Sequence, residues 1–337
     1  MSESKAHSQL IDNFGRKVTY VRMSITDRCD FRCVYCMDEE MTFMPREKLL
    51  TLEEIVFLLR AFCELGVEKV RITGGEPLVR RNVDWLFHEL GQLKSSTSLK
   101  ELTLTTNGSQ LPKYADSMVE AGVDRINISL DSLQAKKFKE LTRTGELSTV
   151  LAGIDAAKKA GFKRIKLNAV IMKGRNDDEI IDLAKFAIEH DLDISYIEEM
   201  PLGQVSHDRH ESFCSSDDVL AELKTAFELH ASTSNTGGPS RYYQIAGTTS
   251  KIGFISPHSH NFCESCNRVR MTTEGRLLLC LGQEHSVDLR DVIRRYPGDS
   301  ERLKQAIIDS MEIKPEGHDF NIKEQPVIFR HMSVTGG

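Results

Sequence analysis

The stretch that decides the fold is Lys69-Val70-Arg71-Ile72-Thr73-Gly74-Gly75-Glu76-Pro77. Residues 69–73 have the β-branched and apolar character of a strand, and the glycines and proline after them mark a turn. Polar or glycine-rich stretches also follow other predicted strands, at Thr105 to Gly108, Ser129 to Ser132 and Glu198 to Pro201. Barrel enzymes place their sites at the carboxyl ends of parallel strands. The sequence therefore predicts an enzyme of barrel-like architecture.

The pattern outside this stretch is a regular alternation of strands and helices. Strands are predicted at 18–25, 69–73, 101–105, 125–130, 164–171 and 192–198. Helices are predicted at 82–94, 112–121, 147–160 and 178–190, and a further helix begins after Thr51 and ends at Gly66. No Gly-x-Gly-x-x-Gly follows the first strand, which disfavours a dinucleotide-binding sheet. We therefore predict an α/β fold, a partial (β/α)6 TIM-like barrel.

The C-terminal third differs in composition. A helix is predicted at 216–229, and Ala231 to Ser240 is rich in Ser, Thr, Asn, Gly and Pro, which is typical of a mobile loop or linker. Residues 241–246 and 251–256 then resemble a hairpin. We predict a domain boundary near residue 230, with a barrel domain at 1–230 and a C-terminal α+β domain at 231–337.

Charge and hydropathy limit the classes of function. The 337 residues include 44 Lys and Arg against 50 Asp and Glu, a net charge of −6 that argues against nucleic acid or an anionic membrane as partner. No apolar run approaches the roughly 18 residues of a membrane span, and the start lacks a signal-peptide pattern. We therefore expect a cytoplasmic protein, in which eight Cys are not explained by disulfides.

The first group of Cys lies just after the first predicted strand. Cys29, Cys33 and Cys36 are separated by three and then two residues, and three thiolates in one loop can hold three irons of a cubane cluster. The fourth iron would remain open for a ligand. A zinc loop and chance clustering are the alternatives at this point.

The second group is Cys263, Cys266 and Cys280. A structural zinc site with His285 as fourth ligand is one interpretation, because Cys-x2-Cys is a common zinc half-site. However, Arg268 and Arg270 follow directly, and two guanidiniums beside a metal loop suit a phosphate or carboxylate ligand. This arrangement favours a substrate-binding metal site. Of the two remaining Cys, Cys63 lies on the apolar face of the first helix and is expected in the core, whereas Cys214 shows no partner and is expected to be structural or exposed.

Taken together, these motifs resemble a known family. The first triplet, with an aromatic residue before its last Cys, and the Gly-Gly-Glu-Pro turn resemble the radical S-adenosylmethionine (SAM) superfamily. The Cys-x2-Cys-Asn-Arg-Val-Arg segment, Cys280 and the final Gly336-Gly337 narrow the resemblance to the GTP 3′,8-cyclase family, the molybdenum cofactor biosynthesis protein A family. The resemblance spans nearly the whole chain.

This resemblance implies two [4Fe-4S] clusters and SAM as cofactors. The implied ligands of the SAM-cleaving cluster are Cys29, Cys33 and Cys36, and those of the second cluster are Cys263, Cys266 and Cys280. The implied SAM contacts are Tyr35, Gly75, Ser129 and Met200. The implied GTP contacts are Arg22, Arg71, Thr105, Lys166, Arg268, Val269 and Arg270. Direct roles in catalysis are implied for Arg268 and Arg270, and for a C-terminal tail, Gly336 and Gly337, that enters the barrel.

The implied reaction is the radical cyclisation of GTP to (8S)-3′,8-cyclo-7,8-dihydroguanosine 5′-triphosphate, an early step of molybdenum cofactor biosynthesis. It begins with abstraction of hydrogen from ribose C3′ and continues with addition to guanine C8 and reduction. The implied partners are an electron donor such as a reduced flavodoxin-like protein, a downstream cyclic-pyranopterin-forming protein and a second copy in a homodimer. The alternatives are a radical SAM peptide maturase and a zinc-stapled binding protein without catalysis.

Overall fold

The computed structural model describes residues 9–234, 236–318, 320, 328 and 330–336. Its strands are β1 (Tyr20–Ser24), β2 (Lys69–Thr73), β3 (Glu101–Thr106), β4 (Arg125–Ser129), β5 (Ile165–Ile171), β6 (Asp193–Glu198), β7 (Leu229–Ser232), β8 (Arg241–Ile245), β9 (Lys251–Ile255), β10 (Arg268–Met271), β11 (Arg276–Leu278) and β12 (Ser286–Asp288). Its helices are α1 (Leu52–Glu64), α2 (Val83–Ser96), α3 (Leu111–Glu120), α4 (Ala135–Thr142), α5 (Leu147–Ala160), α6 (Ile180–Glu189), α7 (Arg209–Ser212), α8 (Ser216–Lys224), α9 (Leu289–Arg295), α10 (Ser300–Ser310) and α11 (Met332–Thr335).

All twelve strands belong to one sheet, in the order β12-β11-β10-β1-β2-β3-β4-β5-β6-β9-β8-β7. The central part, from β10 through β1–β6 to β9, is parallel throughout. Antiparallel hairpins extend it at both edges. The predicted α/β class and the six parallel βα units are therefore confirmed.

The sheet curls around an interior. Arg270 of β10 and Lys166 of β5 line the same cavity, although these strands are five positions apart in the sheet order. At about 4.8 Å per strand, a flat sheet would hold them more than 20 Å apart. Only a strongly curved sheet brings them together, and this is the geometry of the predicted partial barrel.

The helices cover the outside of the curved sheet. The N-terminus of α1 is fixed by the predicted capping box between Thr51 and Glu54. The buried face of α1 includes Ile55 and Phe62, as its apolar spacing predicts. Cys63 on that face is buried in the core, as expected, and Cys214 is also buried, which supports the structural alternative.

The C-terminal third departs from prediction in two places. The helix predicted at 216–229 ends at Lys224, and strand β7 begins at Leu229, so the last part of that prediction is wrong. The predicted linker 231–240 likewise begins as the end of β7. The predicted hairpin is confirmed as β8 and β9. The division at residue 230 stays a prediction, and β9 and β10 join the barrel strands in one sheet.

The sequence pattern predicts no element for residues 268–310. The described residues there form β10, the short strands β11 and β12, and helices α9 and α10. Strands of three or four residues are too short to show the alternation of polar and apolar residues that predicts a strand. Across the described part of the chain, no helix combines the length and apolar character needed to cross a membrane.

Candidate functional site

One cavity, here called the strand-end cavity, lies at the carboxyl ends of the barrel strands. The three thiols of the first Cys group line it: Cys29, Cys33 and Cys36. The four residues predicted to contact SAM also line it: Tyr35, Gly75, Ser129 and Met200. The structure therefore brings together all seven residues that the sequence assigned to this site.

The two glycines of the Gly-Gly-Glu-Pro turn are required by contact with the loop that leads to the first Cys. A Cβ on Gly74 would lie 2.5 Å from the Thr26 carbonyl oxygen, and one on Gly75 would lie 2.3 Å from the Arg28 carbonyl oxygen. The Gly75 amide also donates a hydrogen bond of 2.7 Å to the carbonyl of Thr26. The glycines thus tie the end of β2 to the Cys loop, in addition to lining the cavity.

Glu76 of the same turn is fully buried and fixes the neighbouring strand end. Its carboxylate accepts hydrogen bonds from the Asn107 amide at 2.6 Å, the Thr106 hydroxyl at 2.8 Å and the Leu78 amide at 2.9 Å. Burial raises the pKa of Glu76 to about 7, although these hydrogen bonds act in the opposite direction. Asn107 in turn donates to Asp30 at 2.6 Å, next to Cys29.

Tyr35 is held by a buried carboxylate that the sequence analysis missed. The Tyr35 hydroxyl donates to Asp131 Oδ2 at 2.7 Å, and Asp131 Oδ1 accepts from the Val170 amide at 2.8 Å. Burial raises the pKa of Asp131 to about 6. The signal was present in the sequence, because Asp131 follows β4 within the polar stretch Ser129 to Ser132.

A second cavity, here called the arginine cavity, lies deeper in the barrel. The predicted GTP contacts all line it: Arg22, Arg71, Thr105, Lys166, Arg268, Val269 and Arg270. Further cations that the sequence analysis missed also line it: Lys69 and Arg125. Polar and apolar residues alternate in both strands, which places Lys69 on the same side as Arg71 and Arg125 on the same side as Asn127. Both residues begin their strands, where solvated charge is common, and for this reason they were not predicted.

Three arginines stand side by side across adjacent strands. In the parallel pairing, Arg22 of β1 is in register with Arg270 of β10 on one side and with Arg71 of β2 on the other. Like charges on neighbouring strands repel each other. Burial lowers the pKa of Arg22 to about 10, with Arg71 and Arg268 adding to this effect while Tyr20 opposes it. Such a row is stabilised when an anion binds against it.

Tyr20 lies among these cations. Its hydroxyl accepts a 2.6 Å hydrogen bond from Arg71 Nε, and the Lys69 ammonium lies 5.0 Å from the centre of its ring. Burial alone would raise the pKa of Tyr20, but Arg71, Arg22 and Lys69 outweigh this and lower it to about 7. The protein therefore uses a phenol as a partial counter-charge within the cavity.

The remaining wall of the arginine cavity offers polar atoms without partners. Arg125 Nε, Asn127 Oδ1 and Asn168 Oδ1 are buried and lack a hydrogen-bond partner among the described residues. Glu101 pairs with Lys69 at 2.8 Å and with Arg125 at 2.9 Å. Buried polar atoms without partners are costly, and a polar ligand would satisfy them. This wall therefore fits a ligand that offers hydrogen-bond donors to the two amide oxygens and an acceptor to Arg125 Nε.

The second Cys group lies in the wall of the arginine cavity. Cys263, Cys266 and Cys280 line it together with Arg268. Burial raises the pKa of Cys266, but Arg268 and Lys314 outweigh this and lower it. The guanidinium of Arg268 also lies 4.9 Å from the centre of the Phe262 ring.

The donor sets fit two clusters, each with three protein ligands. Each group brings three thiols to one cavity, and thiolate is the ligand that iron–sulfur clusters use. A cubane cluster binds each thiolate through a different iron, so its ligands need not converge on one point. The alternative of zinc with His285 as fourth ligand is not supported, because His285 is exposed and does not line this cavity.

The C-terminal tail enters the barrel between the two cavities. Arg270 donates a hydrogen bond to the Gly336 carbonyl, and a Cβ on Gly336 would lie 2.1 Å from the Thr73 side chain. Gly336 has a φ of +78°, which also favours glycine. Gly337, the other predicted tail residue, lies outside the described residues. The predicted entry of the tail is therefore observed as far as Gly336.

The two cavities share a wall. Thr105, Asn168, Ile197, Met200 and Met332 line both of them. Met332 belongs to the tail helix α11, so the tail contributes directly to this boundary. Groups bound in the two cavities would face each other across these side chains.

Two family models match the chain over most of its length. The Radical SAM superfamily model matches residues 23–187, and the Molybdenum Cofactor Synthesis C model matches residues 192–320. The first match contains the strand-end Cys group, and the second contains Cys263, Cys266 and Cys280.

Curated relatives match the chain from end to end. A GTP 3′,8-cyclase from Saccharophagus degradans is 59% identical over 332 residues, which cover 98% of this chain and 99% of that protein. A GTP 3′,8-cyclase from Pseudomonas putida strain W619 is 58% identical over 330 residues, covering 97% and 98% of the two chains.

Solved structures of more distant proteins share the fold. The crystal structure of Streptococcus suis SuiB has a TM-score of 0.59 at 17% identity and covers 95% of this chain and 78% of that chain. The structure of SuiB bound to S-adenosylmethionine has a TM-score of 0.58 at 16% identity, with 94% and 77% covered.

Proposed function

This chain belongs to the GTP 3′,8-cyclase family of the radical SAM superfamily, and we propose that it performs the cyclisation after which that family is named. The observation that carries this proposal is the shared wall between a thiol-lined cavity and a cation-lined cavity. The product is (8S)-3′,8-cyclo-7,8-dihydroguanosine 5′-triphosphate, an early intermediate of molybdenum cofactor biosynthesis.

The strand-end cavity is proposed to hold SAM and its cluster. Cys29, Cys33 and Cys36 would bind the cluster, and Tyr35, Gly75, Ser129 and Met200 would contact SAM. When bound, the cluster and SAM supply an oxidising deoxyadenosyl radical. The protein's own task is to fix the cavity walls. Glu76, after β2, holds the end of β3, and Asp131, after β4, holds Val170 of β5 and the Tyr35 hydroxyl.

The arginine cavity is proposed to hold GTP. A triphosphate carries three to four negative charges, and the row of Arg22, Arg71 and Arg270 offers matching cations at fixed spacing. Lys166 adds another cation, and Thr105, Arg268 and Val269 complete the predicted contacts. Cys263, Cys266 and Cys280 would bind the second cluster, whose open iron would meet the guanine. Positioning of this kind decides which C–H bond reacts.

Arg270 connects the tail to the substrate site. It lies in the arginine row and also donates to the Gly336 carbonyl. We propose that four residues complete the reactive site once the tail is inserted: Arg268, Arg270, Gly336 and Gly337.

Our proposals on partners and location rest on family membership alone. We propose that a reduced flavodoxin-like protein donates electrons, that the product passes to a cyclic-pyranopterin-forming protein and that the chain acts as a cytoplasmic homodimer. We also propose that residues 1–230 supply the radical-forming part and residues 231–337 the substrate-binding part.

The test is to incubate anaerobically reconstituted protein with SAM, dithionite and GTP, and to measure 5′-deoxyadenosine and the nucleotide product. We expect 5′-deoxyadenosine formation that depends on GTP, and a product isomeric with GTP by mass. Stimulation by a peptide, with no effect of GTP, would contradict the proposal and favour the peptide maturase alternative.

A further inference from the structure

The residues that precede the barrel form a small rigid hook. An antiparallel bridge joins Ile11 to Lys17, and the Val18 amide donates to the Leu10 carbonyl at 2.8 Å. The buried Asp12 accepts hydrogen bonds from the amides of Phe14 and Arg16, both at 3.0 Å. Its other carboxylate oxygen accepts from Arg16 Nε at 2.7 Å. The side chain of Arg16 is therefore fixed at its base.

The guanidinium of Arg16 reaches across to two distant segments. Nη1 donates to the Cys263 carbonyl at 2.8 Å and to the Glu316 carbonyl at 2.5 Å, and Nη2 donates to the Pro315 carbonyl at 2.6 Å. These are charge-assisted hydrogen bonds, and the fork geometry of arginine serves several acceptors at once. One side chain thus joins the hook, the second Cys loop and residues 315–316.

The segment that Arg16 joins to Cys263 forms a wall against the second Cys group. A Cβ on Gly317 would lie 3.5 Å from Cys263 Sγ, and the Gly317 carbonyl lies 3.9 Å from Cys280 Sγ. Lys314 Nζ donates to the Leu279 carbonyl at 3.1 Å and lies 3.8 Å from Cys266 Sγ. Residues 314–317 therefore lie next to all three Cys residues of the group.

We propose that Arg16 is a positioning residue for the second cluster: it ties the Cys263 loop to the 314–317 wall and so fixes the three thiols for iron binding. This inference rests on the proposed assignment of that cluster. Arg16 lies outside both segments matched by the family models, so the tie comes from a part of the chain that neither describes.

Separating the two clusters makes the test specific. In a background with Cys29, Cys33 and Cys36 replaced by alanine, all cluster iron belongs to the second group. Arg16→Lys keeps the charge but loses the fork, and Arg16→Gln loses the charge. Asn13→Ala is the matched control, because Asn13 anchors the same hook to the Glu312 carbonyl at 2.7 Å without touching Cys263.

The measurement is the rate at which a chelator removes iron from the reconstituted background protein, together with iron content and the electron paramagnetic resonance signal. Loss of a group that orients metal ligands costs about 10- to 100-fold in metal affinity. We expect iron release from both Arg16 variants to be faster by that order, with Asn13→Ala matching the parent. In the opposite background, with the second triplet replaced by alanine, Arg16→Lys should leave iron release unchanged.

Two outcomes would overturn the inference while leaving the second cluster in place. One is equal iron release from the Arg16 variants and the parent. The other is an equal acceleration in both backgrounds, which would mean that Arg16 stabilises the whole fold and not the second site. A parent background that binds no iron would overturn the second-cluster assignment itself, and the inference with it.

Discussion

The two Cys groups are built in different ways. The first lies on one loop of eight residues, and the turn at Gly74 and Gly75 fixes that loop through backbone contacts with Thr26 and Arg28. The second lies within residues 263–280, and Arg16 and Lys314, which are distant in sequence, contact it through their side chains. The first Cys loop is therefore fixed by close backbone contacts together with side chains, since Arg32 donates to the Cys29 carbonyl and Arg143 to the Met37 carbonyl. The contacts that join the second Cys group to residues 314–317 come from cationic side chains.

This difference matches the roles proposed for the two cavities. The strand-end cavity is proposed to hold SAM, a cofactor that the whole superfamily shares. The arginine cavity is proposed to recognise the substrate, and its cations come from β1, β2, β4, β5 and β10. We therefore predict the effects of substitutions that disrupt one cavity and leave the other intact.

The largest effect on activity is expected when a Cys residue of either group is replaced. Cys33→Ala should abolish 5′-deoxyadenosine formation altogether, because the first cluster is lost. Cys266→Ala should abolish cyclisation but leave SAM cleavage by dithionite measurable, because the strand-end cavity is untouched. The check is to quantify 5′-deoxyadenosine and cyclic product for both variants. Equal loss of SAM cleavage in the two would contradict the separation of the sites.

The arginine row should be the next most sensitive feature. Arg71→Gln removes a buried cation, and a hydrogen bond to a charged group contributes about 2 kcal/mol, so the KM for GTP should rise about 30-fold. The KM for SAM should stay the same. Arg164→Gln, at an exposed position before β5, is the control. A parallel rise in both KM values would indicate general damage to the barrel.

A smaller effect is expected at the tail. Gly336→Ala places a Cβ at 2.1 Å from Thr73 and strains a residue with φ of +78°. Left-handed backbone costs a non-glycine residue about 1–2 kcal/mol, so cyclisation should slow by about tenfold. GTP binding, measured by calorimetry, should change little. Unchanged turnover would mean that the tail does not act in the reaction, and Val334→Ala on the same segment serves as control.

The smallest effect is a pH dependence of GTP binding. The cations hold the pKa of Tyr20 at about 7. Bound GTP should screen these cations and so raise the pKa of Tyr20, which would then take up a proton on binding above pH 7. Affinity for GTP should therefore weaken as pH rises from 7. Lys69, whose pKa burial lowers to about 8, acts in the same direction at higher pH.

Calorimetry in buffers of different ionisation enthalpy measures this proton uptake. Tyr20→Phe should flatten the dependence between pH 7 and 8. An identical slope in the wild type and the variant would show that Tyr20 does not titrate with binding.

Much of the strand-end site could be predicted because it is local in sequence. Cys29, Cys33 and Cys36 are close together, and Gly75 and Ser129 follow recognisable strands. The residues that hold them in place are harder to predict from sequence. Asp131, for example, hydrogen-bonds to Tyr35, from which it is 96 positions away in the chain. A single sequence does not show which residues so far apart meet.

The arginine cavity was predictable only in part. Its five predicted cations face inward as expected, but Lys69 and Arg125 look like ordinary charged ends of strands. The pairing of β10 beside β1 was not predictable either, because β10 has four residues and is distant in sequence. That pairing is what aligns Arg270 with Arg22.

The most direct test of the central claim is transfer of deuterium between the two cavities. Reconstituted protein is incubated with SAM, a reductant and GTP deuterated at ribose C3′, and the 5′-deoxyadenosine formed is examined by mass spectrometry. If SAM and GTP meet across the wall of Met200 and Met332, the 5′-deoxyadenosine carries one deuterium. Undeuterated 5′-deoxyadenosine, formed at the same rate with and without GTP, would contradict the account.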